Sequence, residues 1–147
     1  MADSSEWAKK VAAEFKRNAE ADRRKRETFV AERKFKSSSG PLLWNELREG
    51  LKEKCRAFNV EVGEDILLFE IVPDSTVKIR RREQYLDGTY DAQVNRTQFN
   101  YLPFSFSFSV KVDMATENAT WFRDGRHFTS DELSGILLRA FLNYVSL

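Results

Sequence analysis

A chain of 147 residues and 17.1 kDa holds one ordinary domain plus an appendage, and is too short for two full domains. Hydrophobic residues at 41% and charged residues at 32% exclude a disordered or fibrous chain, and 24 basic against 23 acidic side chains give no overall bias toward nucleic acid or membranes. One Cys and one His exclude a disulfide framework and a zinc site built on Cys/His clusters.

The first residues, through Ser4, Ser5, Glu6, Trp7 and Lys9, carry charge where a signal peptide needs an apolar core. No apolar run exceeds that of Ile66, Leu67, Leu68 and Phe69, so no span and no membrane partner is expected. The sequons at Asn95 and Asn118 matter only in a secreted chain, and the lone Cys55 fits a reducing compartment, so the expected location is cytoplasmic.

From Ser5 to Lys36 there is no Gly or Pro, and Ala, Glu, Lys and Arg dominate, which predicts a helix of roughly 30 residues with Asp3 and Glu6 at its start. Trp7, Ala8, Val11, Ala12, Phe15 and Ala19 give its first half an apolar face. Positions 8, 12, 15, 19, 22, 26, 29 and 33 follow a 4-3 spacing that Asp22, Arg26 and Arg33 interrupt. The run Ser37-Ser38-Ser39-Gly40-Pro41 predicts a break, with Pro41 opening a second helix along Leu43, Leu47, Leu51, Cys55 and Phe58 and Asn59 closing it.

Beyond Glu64 the apolar period falls to two. Strands are predicted over Ile66–Val72, over Val77–Arg82 with Lys78, Arg80 and Arg82 on a basic face, over Tyr85–Val94 as one or two pieces about an Asp87-Gly88 turn, and over Thr97–Tyr101. The clearest is Phe104, Phe106, Phe108, Val110 and Val112 alternating with Ser105, Ser107, Ser109 and Lys111, followed by a short strand at Thr120–Phe122. Thr129 and Glu132 form a capping box for a final helix reaching Val145.

The expected class is therefore α+β: an antiparallel meander sheet of about five or six strands packed on two helices, preceded by a long N-terminal helix. Residues 1–40 would form a charged, amphipathic helical arm with a Ser-rich linker, and residues 41–147 a compact α+β domain. The first part carries 11 basic and 7 acidic side chains, net +4, leaving 13 and 16, net −3, for the second.

There is no Gly-rich phosphate loop, nucleophile elbow, His-Glu-x-x-His or dinucleotide fingerprint, so no catalytic residue, metal or cofactor is expected. Cys55 falls on an apolar helix face, and twelve Phe at strand period read as core rather than as a lipid pocket. The leading functional expectation is a non-enzymatic module that binds a protein partner or a second copy of itself. Trp7, Val11 and Phe15 would be its apolar anchors, and Arg23, Arg24 and Arg26 would set orientation. A nucleic-acid surface on Lys78, Arg80 and Arg82 is the alternative. A small-ligand or catalytic site is the third reading, at a loop bearing Arg123, Arg126 and His127, with Asp124 orienting the imidazole.

Overall fold

Period-two patterning from residue 66 to residue 128 builds a sheet in which every strand pairs with its neighbour in sequence. The computed structural model, which describes residues 3–147, has the order α1 (Asp3–Val62), β1 (Leu68–Phe69), β2 (Thr76–Arg81), β3 (Gln84–Asp91), β4 (Arg96–Tyr101), β5 (Phe104–Asp113), β6 (Asn118–Arg123), β7 (Arg126–Phe128) and α2 (Ser130–Asn143). All seven strands are antiparallel in the order β1-β2-β3-β4-β5-β6-β7, an α+β meander with one strand more than the upper expectation. The additional strand is β7, which the sequence presents as part of a loop. No helix among the described residues is long and apolar enough to cross a membrane.

The chain divides into two compact units, Met1–Phe35 and Lys36–Leu147. In the second unit, one sheet face is covered by α1 from Leu43 to Cys55 and by α2. Leu47, Leu51, Phe99, Phe108, Trp121, Leu133, Leu137 and Phe141 are fully buried there. Trp44 of α1 stacks on Tyr90 at 5.7 Å and leans on Phe99 at 6.1 Å. The two helices come close where Gly50 faces Ser134: a Cβ at Gly50 would lie 3.0 Å from the Ser134 hydroxyl. That buried hydroxyl accepts from Lys54 Nζ at 2.8 Å and donates to the Asp131 carbonyl, so the close approach leaves no polar group unsatisfied.

The α2 N-terminus carries the expected capping box, with Thr129 and Glu132 each bonded to the other's backbone. Its last turn holds no basic residue of its own, and the sheet supplies one. Arg81 Nη1 donates to the Leu142 carbonyl at 2.7 Å, and Tyr101 Oη donates to the Val145 carbonyl at 2.7 Å.

Four local expectations are corrected. The helix does not break at Ser37–Pro41: α1 passes through it with Pro41 inside. Gly40 is buried, and a Cβ there would come within 2.2 Å of Tyr90 Oη, so this glycine provides room for a close contact rather than a turn. The backbone bond that Pro41 forgoes is offset by the core residues immediately beyond it, Leu43, Trp44 and Leu47. Asn59 is helical, and Gly63, at φ 83°, follows the helix end instead. The Asn59 amide bridges forward, accepting from the Ile66 and Leu67 amides and donating to the Leu67 carbonyl.

The expected Ile66–Val72 strand contracts to Leu68–Phe69 because α1 takes the backbone that follows it. Arg48 donates to the Val72 and Thr76 carbonyls at 3.1 and 3.3 Å, and Trp44 Nε1 donates to the Asp74 carbonyl at 2.6 Å. Finally, Asp87-Gly88 is not a turn but the middle of β3, where Gly88 pairs with Val77 on one side and Phe99 on the other.

Candidate interaction surfaces

The described residues of the Met1–Phe35 unit are all helical. Trp7 and Phe15 are 66% and 73% exposed, and Val11 is exposed between them at helical spacing. Phe29, 63% exposed, stands fourteen residues beyond Phe15, nearly four full turns, and so returns to the same stripe. Position 29 already lies on the 4-3 series of the sequence, but the charged residues before it confine the expected apolar face to the first half; its neighbour Val30 is exposed beside it. The arginines of that charged stretch are occupied along their own helix. Arg23 pairs with Glu20 at 2.5 Å and Glu27 at 3.5 Å, Arg24 with Glu20 at 3.3 Å, and Arg26 Nε reaches the Asp22 carbonyl at 3.5 Å. Such exposed pairs contribute a few tenths of a kcal/mol each, roughly, so these side chains remain available to a partner's carboxylates.

The residues of the expected basic face are only partly brought together. Lys78 and Arg80 share the outer face of β2, opposite Asp87 and Tyr85 respectively. Lys78 Nζ sits 4.6 Å over the Tyr85 ring, and Arg80 Nε lies 3.7 Å from a Glu70 carboxylate oxygen. Arg82 is not on that face. It occupies the turn between β2 and β3 with φ 57°. The rest of the outer face presents Asp87, Asp91, Gln98, Ser105 and Ser107, with acid and base interspersed.

The segment from Arg123 to Phe128 is a hairpin rather than a loop. Asp124 and Gly125, at φ 49° and 77°, form its two-residue turn, and Arg123 pairs with Arg126 while Phe122 pairs with His127. Because alternate residues point to opposite faces, this register separates the three expected site residues. Arg123 lies over the inward-facing Phe106 ring at 4.7 Å and Arg126 over Phe128 at 5.1 Å. His127 is on the other face, 5.0 Å from the Phe122 ring, with Nδ1 3.0 Å from Thr120 Oγ1. The His127 partner is a hydroxyl rather than the Asp124 carboxylate, which pairs with Arg123 at 3.6 Å.

Cys55 is 2% exposed, and burial pushes its thiol up to about 12. The folded chain therefore favours the neutral thiol. That preference is fully present below the ordinary thiol range and is lost as pH rises from about 9 toward about 12. Burial also raises the hydroxyls of Tyr90, Tyr101 and Tyr144, which act in the same direction at higher pH. Two outcomes are expected: alkylation of Cys55 by iodoacetamide only on unfolding, and a Tm that falls less between pH 9 and 10 in Cys55→Ala than in the parent chain. Rapid alkylation of the native protein would contradict both.

Among the described residues, no three His, Cys, Asp or Glu side chains converge as metal ligands. No protein-family model matches the chain, no curated protein is similar to it, and no solved structure matches it, so any functional reading rests on its own residues.

Proposed function

We propose that the chain is a cytoplasmic, non-enzymatic protein-interaction module whose helical segment Asp3–Phe35 binds a partner protein through Trp7, Val11 and Phe15, with Phe29 extending the stripe. The observation that supports this reading is the exposure of Trp7 and Phe15, 66% and 73%, on a helix that takes in every described residue of its unit. Large aromatic side chains left in water cost stability that burial in a partner recovers, and aromatic residues dominate interface energetics. The net charge of +4 over residues 1–40 favours an apolar groove rimmed by carboxylates, with Arg23, Arg24 and Arg26 guiding encounter. The free, buried thiol of Cys55 accords with a reducing compartment.

The test is native mass spectrometry of the full chain purified gently from its source, repeated on Trp7→Ala/Phe15→Ala. The parent is expected to carry a stoichiometric partner protein. The variant is expected to lose that partner, with affinity weakened by about thirty-fold or more per anchor and Tm unchanged. Retained binding, or a lowered Tm that makes the anchors core residues, overturns the reading. Bound nucleic acid that salt strips away overturns it in favour of the basic strand. A simple multiple of 17.1 kDa, again lost in the variant, identifies the partner as a second copy.

A further inference from the structure

We propose that the β6–β7 hairpin and α2 form a binding site for a small anion, a carboxylate or phosphate carried on a compact apolar body, in a cavity of about 200 Å³. Its polar wall is made by Arg123, Arg126 and Asp124, and its apolar wall by Phe108, Phe128, Ile136 and the Leu147 side chain. The site lies in the Lys36–Leu147 unit and is independent of the helical segment argued above.

Three features point to a ligand rather than to plain packing. The register sets Arg123 directly opposite Arg126 across a two-residue turn, and like charges so placed destabilise a hairpin. Each guanidinium also rests on an aromatic face, Arg123 on Phe106 at 4.7 Å and Phe108 at 5.9 Å, and Arg126 on Phe128 at 5.1 Å. Stacking fixes the plane of an arginine and covers its face while leaving its N–H edge free to donate, the arrangement that suits fork-like recognition of a carboxylate or phosphate. The compensating charge is also incomplete. Asp124 pairs with Arg123 at 3.6 Å but is 84% exposed, and Arg126 has no ion pair among the described residues. Two cations thus line one small cavity whose only side-chain carboxylate, that of Asp124, is solvated. A bound oxyanion would remove the repulsion, and an apolar body would cover Phe108, Phe128 and Ile136. The volume is below the range of drug-sized pockets, which restricts the ligand to a small one.

The test is thermal unfolding of the full chain at low ionic strength with benzoate, phenyl phosphate, benzyl alcohol, or sodium chloride at matched ionic strength. Benzoate or phenyl phosphate is expected to raise Tm, and benzyl alcohol and chloride are not. The larger rise assigns the natural group as carboxylate or phosphate. Arg126→Gln is expected to fold and to weaken binding about tenfold or more, whereas Lys111→Gln on the opposite face leaves it intact. Arg126→Lys, which keeps the charge without the fork, should fold and bind with intermediate strength, guarding against a variant that fails to fold. No rise with either anion, or a rise that survives Arg126→Gln, overturns the proposal.

Discussion

Replacing Trp121 with Ala is expected to cost the Lys36–Leu147 unit about 4 kcal/mol, the upper range for removing a large buried aromatic side chain. Trp121 is fully buried on β6, edge-on to Tyr90 at 6.3 Å. Its ring also starts a hydrogen-bond relay joining three elements. Indole Nε1 donates to Ser130 Oγ at 3.0 Å, and Ser130 Oγ donates to the Leu43 carbonyl at 2.8 Å. Removing the indole leaves a void beside Tyr90 and takes away the donor that Ser130 accepts from, and both losses are incurred away from water. Trp121→Phe separates the two contributions: it keeps most of the ring volume, deletes the donor, and should cost about 1–2 kcal/mol. Urea unfolding of the three proteins measures this. Equal stabilities for the Phe variant and the parent would show the relay to be energetically idle.

The second large effect is expected at Gly88. A Cβ built on it would meet Phe99 ring carbons at 2.3, 2.7 and 2.8 Å, distances at which the ring must move. Phe99 is fully buried and also in ring contact with Trp44, so it can move only by displacing core neighbours. Gly88→Ala gains about 0.5–1 kcal/mol from the reduced backbone freedom of the unfolded chain. It loses more than that to overpacking, for a net destabilisation of about 2 kcal/mol. The cause can be isolated with Phe99→Leu, which shortens the ring that clashes. The double variant Gly88→Ala/Phe99→Leu should be more stable than the sum of the two single effects by about 1 kcal/mol. Strict additivity would place the cost of Gly88→Ala elsewhere.

Gly88 also illustrates what could be read along the chain and what could not. Features whose cause lies within a few residues were legible. The Phe and Ser alternation of β5 states both its conformation and its buried face, and Thr129 with Glu132 marks the start of α2 without reference to any other element. Gly40 and Gly88 are different. A glycine lacking a side chain for a turn and one lacking it for a neighbour look alike in sequence, and only Tyr90 against Gly40 and Phe99 against Gly88, each brought from another element, distinguish them. The same holds for Asn59, whose amide is committed to Ile66 and Leu67 rather than to ending its helix.

At the candidate sites the exposed stripe of Trp7, Val11 and Phe15 was legible because amphipathicity is local. The grouping of Arg123, Arg126 and His127 fails because a loop reading of the segment ignores strand alternation. Once Asp124-Gly125 is recognised as a hairpin turn, strand alternation alone sends His127 to the opposite face from the two arginines.

The meander has a consequence for synthesis on the ribosome. Each strand pairs only with its neighbours in sequence, so the hydrogen-bonded ladder can assemble progressively as the chain emerges. The cover of its apolar face cannot. One covering helix is made before any strand and the other after all of them, and Ser130 meets the Leu43 carbonyl across 87 positions of sequence. Until residue 143 has cleared the exit tunnel, Leu133, Leu137 and Phe141 are not yet in place, and Phe106, Phe108 and Trp121 lie on a half-covered sheet. A nascent chain arrested just short of α2 would thus present the apolar surface and open strand edges that chaperones bind, and release from them would coincide with the docking of a single fourteen-residue helix.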